Sequence, residues 1–472
     1  MPFVVGVDSS TSACKVQVHD LETGQVLATG RSPHPTTQPP RSEQHPSDWE
    51  RAFNRACAEA GVGAPYEPVA MSIAGQQHGM VVLGEDGEVL RPAKLWNDTE
   101  SASDSDALLD ALEGGRAGWA DAIGSVPVAS FTVTKLHWLA RCEPDVLART
   151  RSVLLPHDWL NFTLTGQMTT DRGDASGTGY WSPREARYRF DLLGLVDHSL
   201  DWSSMVPRVL SPTEAAGVWR GHDAIVGPGT GDNMAVSLGL GLHPGDLGLS
   251  FGTSATAFTV SNVPSNDSTG AVAGFADATG RYLPLVCTLN ATKVFASLAD
   301  IVGATQVEFG ELALEAEPGA SGLVLVPHFD GERSPNRPAA TGTLRGLRND
   351  VTRAHIARAA MEGVVCNLLA GTDALQSPGT DRRVFLVGGA ARGRALPQIV
   401  ADLIESPVHV VTEEAVATGA AIQAAATYLG CDFDSLAASW RVAPESVIEP
   451  AAGVDAKEIR ERYAEAVSAD ST

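Results

Sequence analysis

The chain opens with an apolar run at residues 3–7, stops at Asp8-Ser9-Ser10-Thr11-Ser12, and resumes an alternating apolar and polar pattern at residues 14–18. That pattern predicts a strand, a polar turn and a second strand. Residues 21–26 and 84–89 each set turn formers between β-prone flanks, as hairpins do. Residues 47–60 read as a helix, with Ser47 placed to cap its first turn and Glu50 three positions on. A second strand, turn and strand fills residues 247–260, with Gly252-Thr253-Ser254 at the turn, and echoes the first. Later the apolar run 384–387 enters Gly388-Gly389-Ala390-Ala391-Arg392-Gly393 and then a helical stretch through Leu403. This reads as a buried strand feeding a glycine turn and a helix N-terminus.

The echo between the two hairpins predicts two α/β lobes of similar construction. The expected boundary lies in the glycine-rich run 239–245, giving lobes of 1–241 and 242–450 and a peripheral helical tail over 451–472. A length of 472 residues suits two large domains, and 43% hydrophobic with 19% charged residues is a globular composition. A net charge of -23 argues against nucleic acid or an anionic membrane as partner, since either requires clustered Lys and Arg. It leaves room for a small anionic cofactor held by backbone amides. The six cysteines are scattered without ligand spacing, no basic leader precedes the first apolar run, and no stretch approaches the ~20 apolar residues that span a bilayer. A cytoplasmic protein with reduced thiols is expected.

Three glycine- and hydroxyl-rich turns, each following an apolar strand, point to a bound nucleotide. Taken singly, each is equally an ordinary tight hairpin. A Walker A loop and the glycine and catalytic loops of protein kinases are absent from the sequence. No G-x-G-x-x-G follows the first strand, which removes support for a dinucleotide-dependent dehydrogenase.

Residues 8–15, Asp-Ser-Ser-Thr-Ser-Ala-Cys-Lys, resemble the first phosphate loop of the FGGY carbohydrate kinases. Ser250-Phe251-Gly252-Thr253-Ser254 resembles the second, and Gly388-Gly389-Ala390 resembles the adenosine loop. Gly75-Gln76-Gln77-His78-Gly79, Leu95-Trp96-Asn97-Asp98, Leu155-Pro156-His157-Asp158-Trp159-Leu160 and Gly231-Asp232-Asn233 resemble, in this order, the members that act on D-xylulose. The resemblance covers about residues 3–430 and implies two ribonuclease-H-like, actin-like ATPase lobes with an interlobe cleft that closes on substrate. It implies ATP and Mg2+ as cofactors, a small-molecule sugar as substrate, and transfer of the γ-phosphoryl group to O5 of D-xylulose. Other sugars of the family (ribulose, gluconate, glycerol) and a non-catalytic ATP-binding sensor on the same lobes stay open, as does a homodimer. Two departures stand out: Ser10 replaces a common glycine of the first loop, and Gln76-Gln77-His78 stands where relatives often carry Gln-Met-His.

The resemblance assigns roles residue by residue. Asp232 becomes the general base, since a sugar hydroxyl needs a positioned proton acceptor as its bond to phosphorus forms. From position alone, Asp232-Asn233 serves equally as the cap of a helix starting at Met234. Asp8 becomes the magnesium ligand, with an Asx turn as its structural alternative. Thr11, Ser12 and Lys15 face phosphates, although Lys15 also reads as an exposed strand residue. Gln77 and His78 hydrogen-bond the ketose, and Trp96, Asn97 and Asp98 complete its pocket alongside Asp232. Gly252, Thr253, Gly388, Gly389 and Ala390 serve the nucleotide.

Overall fold

The computed structural model describes residues 2–337, 339–375, 382–412 and 414–469. Its described residues form two units. The first draws on Met1–Gly241, Asn262–Leu283 and Glu414–Val442, and the second on Leu242–Ser261, Pro284–Glu413 and Ala443–Thr472.

The first unit is built on a mixed sheet. The expected opening hairpin is present as β1 (Phe3–Ser9) and β2 (Ala13–Asp20), antiparallel from Phe3 opposite Asp20 to Ser9 opposite Cys14. β3 (Val26–Pro33) continues the meander through the turn predicted at 21–26. β4 (Pro68–Gly75) runs parallel to β1, which makes β1 an interior strand and explains why Val4, Val5 and Val7 are all fully buried. β5 (Thr230–Gly231) lies parallel to the end of β4, with Thr230 opposite Ala74. The ends of β1, β4 and β5 therefore emerge at one edge, and every first-unit residue assigned chemistry follows one of them or sits beside it.

Helices cover both faces of this sheet. α1 (Pro46–Glu59) buries Trp49, Phe53 and Ala56 in the core that holds Val16 and Val18. Its N-cap is His45 rather than Ser47: Pro46 fills the first helical position, where a missing N–H costs nothing, and His45 Nδ1 accepts the Ser47 N–H at 3.3 Å. On the other face lies α5 (Ala415–Leu429), whose small residues permit close approach. A Cβ on Gly6 would stand 2.6 Å from the Ala421 nitrogen. α2 (Pro156–Thr165), α3 (Arg172–Ser176) and α4 (Asp232–Gly239) surround the strand ends.

The second unit repeats the construction. β6 (Leu247–Phe251) and β7 (Ala255–Thr259) form the predicted second hairpin, and β8 (Val384–Val387) runs parallel to β6. A 3-10 turn over Gly389–Arg392 precedes the helix Ala395–Ile404, so the predicted strand, glycine turn and helix are all present with one extra turn between them. Arg383 and Asp246 brace the entry to β8 and β6 with a guanidinium–carboxylate contact of 3.1 Å. All six cysteines are free thiols, and no helix among the described residues is long and apolar enough to cross a membrane.

Candidate active site

β1 delivers Asp8 to the strand edge with only 1% of its surface exposed. The Ser10 hydroxyl donates to Asp8 Oδ1, and Lys15 Nζ, directly opposite on β2, lies 3.2 Å from Oδ2. Ser10 is not among the residues of positive φ, so the turn functions without the glycine common at that position. Burial pushes the Asp8 carboxyl above its ordinary value despite the opposing pull of Lys15 and Ser10. Burial alone would lower the Lys15 ammonium; Asp8 and Glu414, the latter at 2.7 Å, overcome that and hold it raised. Glu414 precedes α5 and is invisible to any local reading of the sequence, since it lies 399 positions from Lys15.

Thr11 and Ser12 form the turn after β1 and are half-buried and exposed respectively. The Trp96 indole N–H donates to Thr11 Oγ1 at 2.8 Å, which ties an expected sugar-side residue to an expected phosphate-side one. Asn97 follows, with its buried Oδ1 unpartnered. Asp98 has protein partners of its own. It is fully buried, Oδ2 accepts the Ser42 N–H at 2.8 Å, and Oδ1 accepts from Lys94 Nζ at 3.0 Å. With both oxygens hydrogen-bonded, Asp98 braces the Trp96-Asn97 turn. Glu43, Asp98 and Glu100 come close enough together to hold a metal ion, but Lys94 Nζ already occupies their midst at 3.5, 3.0 and 2.5 Å.

β4 ends at Gly75 and releases Gln76, Gln77 and His78, all buried. Gln77 Oε1 accepts from Asn233 Nδ2 at 3.0 Å, while Gln77 Nε2 and Gln76 Oε1 are buried without a partner. Unpaired buried amide groups are costly and rare, and three of them (with Asn97) around one strand edge fit a ligand rich in hydroxyls. His78 has φ 66°, a conformation uncommon for a side-chain-bearing residue and typical of functional sites. Its ring stacks on Phe131 at 5.0 Å and lies 5.5 Å from Phe275, and its Nδ1 donates to the Gly177 carbonyl at 2.6 Å. The Nδ1 proton is fixed by that acceptor, since a carbonyl cannot donate.

Asp232 is the first residue of α4, one position inside the Gly231 N-cap, and the helix has no side-chain cap. Its Oδ1 accepts the Asn233 N–H at 2.8 Å and Asn233 Nδ2 at 2.8 Å. Burial raises its carboxyl, the negative charges of Asp8 and Asp174 add to the effect, and Asn233 opposes it; the result is about 7. A carboxylate titrating near neutrality, half-buried beside unpaired amides, is chemically suited to accept a hydroxyl proton.

In the second unit the two expected nucleotide turns adjoin. Ser250 pairs with Val387, so Gly252-Thr253 and Gly388-Gly389-Ala390 leave neighbouring strand ends. Gly388 has φ 99°, and a Cβ there would stand 2.6 Å from the Phe251 carbonyl oxygen, so only glycine fits. Gly252 is exposed, its carbonyl accepts from the Thr292 hydroxyl at 2.8 Å, and a Cβ on it would meet nothing closer than 3.7 Å.

The pairing of a phosphate-type turn with a buried acid in one unit and two adjoining glycine turns in the other matches a known pattern over the whole chain. Residues 3–241 match the N-terminal domain, and residues 247–428 the C-terminal domain, of the FGGY family of carbohydrate kinases. The chain belongs to this family. It is 45% identical over 458 residues to a xylulose kinase of Streptomyces rubiginosus, covering 95% of this chain and 92% of that protein. A xylulose kinase of Streptomyces coelicolor is 44% identical over 459 residues, with the same coverage of 95% and 92%. The crystal structure of xylulose kinase from Bifidobacterium adolescentis superposes with a TM-score of 0.86 at 36% identity, covering 99% of both chains. Plasmodium falciparum glycerol kinase with ADP shares the fold at TM-score 0.84 and 18% identity, covering 100% of this chain and 98% of that one. Like other FGGY kinases, this chain is therefore an ATP-dependent carbohydrate kinase with two domains of the actin-like ATPase fold.

Sequence reading missed three of the residues that build this FGGY site. Asp171 and Asp174 flank His157, the Asp174 charge helps to raise Asp232, and Glu414 pairs with Lys15. The run Thr169-Thr170-Asp171-Arg172-Gly173-Asp174 carries a visible signal for the first two, two acids around a helix start, which is also what an ordinary cap looks like.

Proposed function

We propose that the chain phosphorylates D-xylulose at O5, giving ADP and D-xylulose 5-phosphate, with Asp232 as general base. The observation that carries this reading is Asp232 itself: a carboxylate held at about 7, at the head of a helix, hydrogen-bonded through Asn233 to Gln77. In the transfer, O5 forms its bond to the γ-phosphorus while the bond to the ADP oxygen breaks. The O5 proton passes to Asp232. Alignment matters more than covalent chemistry in such a step, and the Asn233 contacts fix where the carboxylate points.

Gln77 Nε2, Gln76 Oε1 and Asn97 Oδ1, buried without partners, are assigned to the ketose hydroxyls together with the His78 ring, and Trp96 is assigned to the apolar wall. Thr11, Ser12 and Lys15 serve the phosphates in the first unit. Gly252, Thr253, Gly388, Gly389 and Ala390 serve the nucleotide in the second. Asp8 suits magnesium: it is a hard, buried oxygen donor next to hydroxyl-bearing residues, and one carboxylate with substrate phosphates and water is a common set for that ion. Bound there, magnesium supplies neutralisation of charge on the phosphoryl group. Asp98, assigned to the pocket with Trp96 and Asn97, holds the Trp96-Asn97 turn through Lys94 and Ser42.

The xylulose kinase names of the Streptomyces and Bifidobacterium relatives support D-xylulose as the sugar. A coupled ADP-release screen over pentuloses, hexuloses, glycerol and aldonates tests it. D-xylulose should give the highest kcat/KM. A higher value for ribulose, gluconate or glycerol would reassign the substrate, and no ADP release with any sugar would favour a non-catalytic sensor.

A further inference from the structure

Beside the turn that leads to Asp232 lies a buried charge cluster whose one part so far is the Asp174 charge that helps to raise Asp232. His157, at the start of α2, is fully buried. Its Nδ1 lies 2.7 Å from Asp174 Oδ2, and its Nε2 lies 3.1 Å from Asp158 Oδ1 and 3.9 Å from Asp171 Oδ1. Three carboxylates around one imidazole make a cation the form that the site needs, because removing such a charge would leave buried anions uncompensated. Burial works against that cation, and the carboxylates overcome it, holding His157 at about 9.

The cluster reaches the chemistry through Thr230. Asp171 Oδ2 accepts the Thr230 hydroxyl at 2.9 Å, while its other contacts, the N–H groups of Gly173 and Asp174 at 2.8 and 2.9 Å, cap α3. Thr230 stands two residues before Asp232. The same turn presses on His157 directly: Gly229 has φ 79°, and a Cβ there would collide with the imidazole. From above, the Gly229 carbonyl accepts Gln423 Nε2 at 3.0 Å, and Asn161 Nδ2 donates to the Pro228 carbonyl at 2.9 Å. Residues 228–230 are thus gripped on each side, and the only side-chain hydroxyl in the grip is that of Thr230.

We propose that His157 and Asp171 are positioning residues for phosphoryl transfer: the imidazolium holds Asp171 in place, Asp171 holds Thr230, and Thr230 fixes the turn that aims Asp232. This rests on the reading of Asp232 as the base. Small displacements of a catalytic group cost much rate and little ground-state binding. The chain should therefore act on kcat and not on the affinity for sugar or nucleotide.

The test compares Thr230→Val, Thr230→Ser, His157→Gln and Asp232→Asn by steady-state kinetics with D-xylulose and by calorimetry with MgATP. Valine keeps the branched shape and removes only the hydroxyl, leaving Asp171 its two amide donors. Thr230→Val should lose on the order of 10-fold to 100-fold in kcat with sugar KM and MgATP Kd changed less than about threefold, and Thr230→Ser should restore kcat to within about threefold. His157→Gln, where it folds, should lose kcat in the same pattern. Wild-type kcat in Thr230→Val, or a serine variant no better than valine, overturns the proposal even when Asp232→Asn is inactive. Wild-type turnover in Asp232→Asn sinks the base assignment, and the positioning chain with it.

Discussion

The Trp96 indole donates to the Thr11 hydroxyl at 2.8 Å across 85 positions of sequence, joining the wall of the expected sugar pocket to the turn of the expected phosphate loop. A neutral hydrogen bond of this kind contributes ~1 kcal/mol. Trp96→Phe keeps the aromatic face and removes the donor. MgATP binding should then weaken by roughly threefold to tenfold alongside a rise in sugar KM. Calorimetry showing unchanged MgATP affinity would mean that the contact does not order the loop.

The pH dependence follows from Asp232. As the proposed base, Asp232, raised to about 7, must be deprotonated to work, so kcat/KM should climb with pH through about 7 and level above it. The Asp174 charge is one of the causes that raise Asp232, so Asp174→Asn should move this limb to lower pH. A limb that stays put or moves to higher pH contradicts the assignment.

Stability has its own pH signature. His157 is raised from its ordinary 6.5 to about 9 in the folded chain, so its contribution is complete below about 6.5 and is lost as pH rises through about 9. Melting temperature should fall across that window in the wild type, and the fall should be shallower in His157→Gln. Equal slopes would mean that His157 is not charged in the fold.

The two ends of the site should respond separately. The protein leaves room for a side chain at Gly252, so weakened MgATP binding in Gly252→Val would report the nucleotide rather than misfolding. His78→Ala should raise sugar KM and leave MgATP binding largely intact. Calorimetry giving the reverse pattern would overturn this division.

What the sequence made legible was local. The hairpins at 3–18 and 247–260 and the strand and glycine turn at 384–393 announce themselves through short-range alternation and turn residues, and the structure contains them. What it hid depends on residues far apart in the chain. Lys15 shows no sign of Glu414, nor His157 of Asp174, because ion pairs leave no periodic trace. Asp98 is a further case: nothing beside the Asn-Asp pair announces its contacts to Ser42 and Lys94. At α1, Pro46 at the first helical position puts the cap two residues upstream of Ser47, on His45.

Asp232, as proposed, activates O5 of D-xylulose toward MgATP. The direct measurement is phosphorus NMR of the product formed from D-xylulose and from its 5-deoxy analogue at matched concentrations. Phosphate on O5 of D-xylulose, with the analogue bound but no sugar phosphate formed from it, is the predicted result. Phosphorylation of the 5-deoxy sugar at a rate comparable to that of D-xylulose would place the transfer on another hydroxyl and contradict the account.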